Sequence, residues 1–419
     1  MPQRTIDFRA NDLSLGLDLN TPRNLALGKI SGGRAARFER GSGVFTAPGY
    51  RTAVDFDADV SLFPFEGTVF PLLWGKNGAL IKHTADAVTD FDTGASLTSG
   101  EDAAFCEQGN GDIFYSNETD APLRIAVARN TVAIAASDTE ITVSADWIGK
   151  FAASGTVFIR GDSISYTGTN STQLTGVTGI QTGGHPINSI VTQTSGPTTW
   201  TEETGSILMN FESRMLVGGR NRFEYIVYAS APEDASNPAF FYDFDGNGTV
   251  SHIFPQKVTA MIKGLGRAYI FMDRQVWQLT EFDVATGAFL VSPVSENVGA
   301  YNKRCAIDMD GIVLFLGNKR LMPISLQLAP DGSAPILAEN FDYPIRPWLE
   351  SLDDDDDQSP ALLHYDTSRK IAKISGVRSG TLETYIYDKQ NKTFLPIENR
   401  PAAGYSMFLG KSYFGNNSD

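Results

Sequence analysis

Cysteine is nearly absent: Cys106 and Cys305 are the only two in 419 residues, and they stand far apart. That excludes a disulfide-stapled scaffold and points to free thiols from a reducing compartment. Histidine is scarce too. His83, His185, His252 and His364 fall in four separate segments without zinc-ligand spacing, and each reads as a polar surface or turn residue. No nucleophile elbow, P-loop or dinucleotide fingerprint occurs, so the common hydrolase and nucleotide-binding signatures are missing. The N-terminal stretch MPQRTIDFRANDLSLGLDL lacks the apolar centre of a signal peptide, and no run reaches the length of a membrane span. Folding in a cytoplasm, with no membrane segment, is the expectation.

Positive charge is in deficit. Lys and Arg number 34 against 49 Asp and Glu, a formal net charge of -15. A protein that grips nucleic acid through its overall field needs clustered basic residues, and none occur here. The basic group Arg214, Arg220, Arg222 is broken by apolar residues and reads as strand-edge charge. An acidic wall repels a polyanion, so the balance suits a surface that DNA passes without adhering; solubility is the plainer use of the same charge.

Helical periodicity is missing as well, and short β-branched and aromatic runs punctuated by Gly, Asn and Asp take its place. The clearest is GLGRAYIFMDRQVWQLT, Gly264 to Thr280, where Arg267 to Met272 and Val276 to Thr280 flank the polar turn Asp273-Arg274-Gln275. Lys257 to Lys263 alternates upstream, so three strands form a meander. Comparable units start at Thr68, Ala103, Ser206, Val258, Arg304, Ala361 and Gly404. Recurrence of one meander with hardly any helix predicts an all-β chain, a β-propeller of about five to seven blades. A β-sandwich pair also uses many short strands but does not predict this recurrence.

The stretch 137–198, rich in Thr, Ser, Gly and Ile, interrupts the series and reads as a small inserted β module. The expected organisation is a leader at 1–66 packing on the propeller, first blades at 67–136, the module at 137–198 and the remaining blades at 199–419. Tyr269 and Trp277 are expected to pack between blades.

Two acidic stretches are candidate sites. Asp243, Asp245, Asn247 and Thr249 place oxygen side chains at alternate positions with intervening Gly, the opening of a calcium loop. Its later positions, Ser251 and Phe254, lack the closing carboxylate, so a polar turn competes with calcium as the reading. No other cofactor is expected. The run Asp353, Asp354, Asp355, Asp356, Asp357 repels itself into a solvated loop. Acidic residues abound, so a carboxylate pair of a propeller glycoside hydrolase stays open as an alternative, although a non-enzymatic scaffold is expected.

The succession VTAMIKGLGRAYIFMDRQVWQLT, then SENVGAYNKRCAIDMDGIVLFLGNKRLMPIS, resembles the blades of phage tail nozzle proteins, also called packaged-DNA stabilisation proteins. Asp273, Arg274, Val276, Trp277 and Leu279 stand in the places of that family's D-R-x-[VI]-[WF]-x-[LV] segment. The leader LNTPRNLALGKISGGRAARFERGSGVFTAPGYRT is similar to the family's leader, with Thr46-Ala47-Pro48-Gly49-Tyr50 in place of its usual turn. The segment SGTVFIRGDSISYTGTNSTQLTGVTG resembles a small β module of assorted phage tail and virion proteins. Together the resemblances span most of residues 20 to 418. They imply a homo-oligomer, a ring of commonly six subunits in the tail of a short-tailed phage, assembled in the host cytoplasm. The ring would meet a tail adaptor and tail fibre or tail-tip proteins, close the DNA channel after packaging and conduct viral DNA at ejection without binding it specifically. The run Asp353 to Asp357 is then a candidate for the channel lining or rim. The last blade lacks a further strand after YFGNNSD, which the leader would supply by strand exchange unless the chain is truncated. A receptor-binding or cell-wall-binding tail propeller is the remaining alternative.

Overall fold

Strand after strand in this chain closes a hairpin with its neighbour, and the computed structural model arranges those hairpins into successive antiparallel sheets. It describes the strands at 36–39, 43–46, 60–61, 73–76, 80–84, 404–408 and 411–415 by backbone, together with 90–397 apart from 97, 99–103, 109–110, 118, 121, 196–204, 220–223, 234–243, 245–248, 284–287, 329–334, 338–339 and 354–360.

A hairpin of β1 (Ala36–Glu39) and β2 (Gly43–Thr46) comes first. Blade 1 is β3 (Val60–Ser61), β4 (Leu73–Lys76), β5 (Leu80–Thr84) and β6 (Asp90–Ser96). Blade 2 begins with β7 (Ala104–Glu107), β8 (Ile113–Ser116) and β9 (Leu123–Arg129). An insertion follows, with β10 (Glu140–Thr142), α1 (Ala145–Ile148), β11 (Gly155–Ile159), β12 (Asp162–Tyr166), β13 (Gly168–Thr169) and β14 (Gln173–Thr175), and β15 (Ile190–Ser195) then returns to β9. Blade 3 is β16 (Ile207–Phe211), β17 (Arg214–Gly218), β18 (Ile226–Ala229) and β19 (Val250–Ile253); blade 4 is β20 (Val258–Gly264), β21 (Arg267–Met272), β22 (Val276–Asp283) and β23 (Ala288–Ser295). Blade 5 is β24 (Ala306–Asp308), β25 (Ile312–Gly317), β26 (Arg320–Leu328) and β27 (Pro335–Leu337), followed by the short helix α2 (Arg346–Glu350). Blade 6 is β28 (Leu362–Asp366), β29 (Ile371–Arg378), β30 (Thr381–Asp388) and β31 (Thr393–Ile397), and a last hairpin joins β32 (Gly404–Phe408) to β33 (Lys411–Gly415).

The first strands of blades 2 to 6 and of the last hairpin lie side by side in the order β7, β16, β20, β24, β28, β32, and in the sheets other than blade 2's the remaining strands follow in sequence order away from them. Successive meanders that meet through their first strands make a β-propeller. The hairpin turns explain why the chain keeps returning. Glu212-Ser213, Leu265-Gly266, Asn318-Lys319 and Ser379-Gly380 all have positive φ at both residues, the two-residue turn whose twist matches that of paired strands.

Between blades the packing is apolar. Tyr269 and Phe271 of blade 4 join Val313, Phe315 and Leu316 of blade 5 and Leu363, Ile374 and Tyr385 of blade 6 in one buried cluster. The opposite face of blade 4, through Ala268, Ile270 and Met272, packs against Met209, Leu216 and Val227 of blade 3. Tyr269 is fully buried, whereas Trp277 is half-buried, its ring edge-on to Phe254 at 6.2 Å and its indole N–H given to Gln275 Oε1 at 3.1 Å.

Glycine is required where a linker threads between sheets. A Cβ on Gly299 would lie 1.6 Å from Met272 O of blade 4, and one on Gly317 of blade 5 would lie 1.9 Å from Gly299 O. Gly205 repeats the arrangement: its N–H reaches Asn117 O beyond the second strand of blade 2, and its Cβ would meet Gly218 O of blade 3 at 2.5 Å.

Two boundaries differ from those read in the sequence. Blade 1 starts at β3, before residue 67, because a two-residue strand carries no periodicity. The strand Ile190–Ser195, assigned above to the module, completes blade 2 with the register Ile190↔Arg129 through Ser195↔Arg124. β11 pairs onto its outer side and β12 onto β11, so this sheet has six strands. Long-range pairing across the insertion leaves no local mark in the sequence.

Candidate functional site

In a scaffold of stacked sheets the polar side chains at the sheet ends first tie blade to blade. At the end carrying the β24–β25 turn, Asp310 of blade 5 accepts from the Tyr365 hydroxyl at 2.5 Å and from Lys370 Nζ at 2.7 Å, both of blade 6. Lys389 Nζ of blade 6 donates to Met309 O at 2.8 Å and Asp310 O at 3.1 Å. The Lys370 and Tyr365 hydrogen bonds hold the Asp310 carboxyl below the usual carboxylate range. Solvent reaches these groups, so each ion pair contributes about 1 kcal/mol or less.

The other end is knitted by linkers. Lys303, just before blade 5, gives its ammonium to Ser206 O at the head of blade 3, at 3.0 Å. That bond skips blade 4 and ties the head of blade 5 to the head of blade 3. Asn302 Nδ2 reaches Ala361 O at the head of blade 6 at 3.2 Å. On blade 5, the fully buried Asp342 accepts from Arg320 Nε and Arg346 Nη2, each at 2.7 Å, and from Leu321 N at 3.2 Å. Two guanidinium groups on one carboxylate pin α2 to β26.

The insertion is held by a charge cluster. Asp112 of blade 2, fully buried, pairs with Arg124 and accepts from Lys150 Nζ at 2.9 Å and Val127 N at 3.0 Å. Burial lowers the Lys150 pKa, and Asp112 opposes that shift. Farther out, the Phe158 ring lies over Gly94 of blade 1, and Thr192 Oγ1 donates to Thr93 O at 3.2 Å, so the module straddles blades 1 and 2. Its surface holds an open cleft of about 240 Å³ bordered by Val132, Ala133, Ile134, Asp138, Thr139, Glu140, Thr142 and Gln173. The Asp138 carboxylate there accepts from Ala135 N at 2.8 Å.

The candidate residues from the sequence sit as follows. Asp353 directs both carboxylate oxygens at a turn of blade 6, accepting from Ser379 N at 3.1 Å and Gly380 N at 3.0 Å. Those two bonds hold its carboxyl below the ordinary range. Asp354, Asp355, Asp356 and Asp357 lie outside the described residues, as do Asp243, Asp245 and Asn247. Thr249 is half-buried just before β19. Among the described residues no three His, Cys, Asp or Glu side chains converge as metal ligands would.

The histidines depart from a surface-and-turn reading. His364 is buried in β28, where desolvation takes its pKa down to about 3. His185 is buried in the module 3.1 Å from Asp162 Oδ2. His252 stacks on Phe289 at 5.8 Å. The side chain of His83 lies outside the described residues. Cys106 and Cys305 are free and buried, and burial pushes the Cys106 thiol up to about 12. Sequence reasoning missed the Asp342 pair with Arg320 and Arg346. Its Asp342-to-Arg346 half, at i,i+4 spacing, is the part a sequence can signal.

No family model and no curated protein matches the chain. Solved structures with similar backbones include a quinonprotein alcohol dehydrogenase-like protein from Bacteroides thetaiotaomicron, with 9% identity and a TM-score of 0.33 over 76% of each chain. Hsv2 from Kluyveromyces lactis has 9% identity and a TM-score of 0.29, over 70% of this chain and 96% of that one. AztD from Citrobacter koseri has 9% identity and a TM-score of 0.25, over 81% of this chain and 72% of that one. Similarity this distant carries no argument about chemistry, and the propeller assignment rests on the sheet order itself.

Proposed function

We propose that this chain is a structural tail protein of a short-tailed phage, a nozzle subunit that assembles into a ring, closes the DNA channel after packaging and conducts DNA at ejection. The observation that carries the reading is the blade segment Asp273, Arg274, Val276, Trp277, Leu279, which resembles that family's and stands in a propeller meander with Asp273 and Arg274 in the β21–β22 turn.

The physical argument is mechanical. Apolar seams and bridging linkers make each propeller a stiff wedge, and the Lys303 bond to Ser206 ties blade 5 to blade 3. A passage for DNA then belongs to the ring of subunits, with wedges packed side by side around a common bore. The net charge of -15 disfavours adhesion of a polyanion to that bore. On this reading the chain is not an enzyme, and its places of work are the host cytoplasm during assembly and the virion tail afterwards.

Single-particle imaging of the purified protein and of the virion tests the proposal. A ring with an axial hole, located in the tail, is the expected result. A stable monomer that cleaves polysaccharide would replace the nozzle with a propeller glycoside hydrolase.

A second reading, a receptor-binding or cell-wall-binding tail propeller, draws on exposed aromatics: Tyr225 is 50% and Tyr343 51% exposed. Its signature in the same images is an appendage at the tail tip.

A further inference from the structure

The inserted module carries a cleft whose walls are fixed by its own hydrogen bonds. Asn130, fully buried where blade 2 leads into the module, donates from its side-chain amide to Val132 O at 2.8 Å and to Pro186 O at 2.9 Å. Thr131 N reaches Thr142 O of β10 at 2.9 Å and Ile134 N reaches His185 O at 2.8 Å, so the stretch 131–134 is fastened on both sides. Asp138 closes the next turn, its N–H on Ala135 O at 3.0 Å and its Oδ2 accepting from Ala135 N at 2.8 Å. Gln173 of β14 donates to Thr142 Oγ1 at 3.3 Å and accepts from Asn170 Nδ2 at 2.8 Å. The cleft of about 240 Å³ between these elements is preformed, as ligand sites generally are.

Its lining divides by chemistry. Val132, Ala133 and Ile134 give an aliphatic ledge, with Val132 55% exposed. Asp138, Thr139 and Glu140 bring oxygen atoms. Among the described residues, Asp138 Oδ1, the Thr139 hydroxyl and the Glu140 carboxylate have no hydrogen-bond partner in the protein, and no Lys, Arg or His borders the cleft. Two carboxylates without a cation repel phosphates and acidic sugars. Polar surface outweighs apolar in the lining, the reverse of a site for an apolar ligand.

We propose that this cleft binds a neutral saccharide, with one sugar ring against Val132 and Ile134 and the rest of the chain leaving through the open side. A sugar presents C–H patches on the faces of its ring and O–H donors around its rim. The ledge takes the first, and the oxygens of Asp138, Thr139 and Glu140 take the second, the two carboxylates through charge-assisted bonds. The volume lies below the roughly 300 Å³ at which drug-sized sites begin, so one ring is what it holds. Walls that are already fixed lose little freedom on binding, which offsets the small contact area. The inference concerns the module alone and is independent of the nozzle reading.

Saturation-transfer NMR on the full-length chain tests it, with N-acetylglucosamine trisaccharide and maltotriose as neutral probes, trigalacturonic acid as an anionic one and trilysine as a cationic one. The expected result is that a neutral trisaccharide binds and trigalacturonic acid does not. Glu140→Ala, which removes an exposed acceptor, should weaken that binding about tenfold. Val132→Asp, which replaces the ledge by charge, should abolish it, and both variants should keep the unfolding midpoint of the native chain. Failure of both neutral trisaccharides to bind, binding of trigalacturonic acid as strong as theirs, or binding that either variant retains in full would overturn the proposal. So would trilysine that displaces the neutral sugars, because the cleft would then be a trap for cations.

Discussion

The two faces of blade 6 are built on the same four strands and differ in chemistry, one apolar at its buried positions and the other a mixture of polar groups with Leu362, Ile371 and Leu395. On one side Phe315, Leu316, Ile374 and Tyr385 bury aromatic and aliphatic surface, helped by Trp348, whose ring lies 4.5 Å from that of Tyr385. On the other, His364, Lys373 and Asp366 are buried as polar groups. A propeller gains its stiffness from apolar seams, whose strength scales with area, whereas a polar seam contributes register and specificity at lower net stability. One blade therefore carries a face held by apolar area and a face on which buried polar groups need their own partners.

The largest expected effect breaks the apolar side. Phe315 is fully buried with its ring 5.2 Å from Phe271, and Phe315→Ala should destabilise the chain by about 3–5 kcal/mol in denaturant unfolding. A loss under about 1 kcal/mol would show that the cluster is not the joint described.

The polar side is best reached through pH. His364 has its folded pKa lowered to about 3 by burial, so the folded chain holds it neutral while the unfolded chain protonates it near its ordinary value of 6.5. The stability this contributes is present above pH ~6.5 and declines as pH falls toward ~3, with a limiting slope of ~1.4 kcal/mol per unit. Urea midpoints between pH 7 and 4.5 should fall more steeply for the native chain than for His364→Asn. Parallel slopes would place His364 in contact with water.

Trp277→Ala tests a weaker version of the apolar joint. The sequence alone suggests a core-sized loss, but the ring is half-buried, and about 2 kcal/mol is expected from denaturant midpoints. Circular dichroism of the variant should be native.

The smallest effect concerns the turn that crosses the blade 5–6 seam. The Asp310 carboxyl has a folded pKa below its unfolded value, so its contribution is present above the ordinary carboxylate range and is lost as pH falls through the folded pKa. The site is solvated, so Asp310→Asn should cost about 1 kcal/mol or less at neutral pH and nothing at low pH, measured by the same urea midpoints.

The propeller class was legible because its signals are local. Short β-branched and aromatic runs recur along the chain, and turn pairs such as Asn318-Lys319 recur in blades 3 to 6. Unit starts read at Ala103, Ser206, Val258, Arg304 and Ala361 fall within two residues of β7, β16, β20, β24 and β28. Of the candidate site little was legible. Asp353 stands in an acidic run that reads as solvated, yet backbone N–H groups of a distant turn hold it, a partnership set by how α2 docks.

By itself, then, the sequence determined the strands, their turns and their repetition, because φ/ψ preference and alternation are properties of a few neighbouring residues. Tertiary structure alone decided that Ile190–Ser195 joins blade 2 across the insertion, that Lys303 reaches Ser206, and that one face of blade 6 buries His364 with Lys373. Each of these depends on which surface arrives opposite a residue from far along the chain, and the energy of a buried polar group is set by that arrival rather than by its own identity.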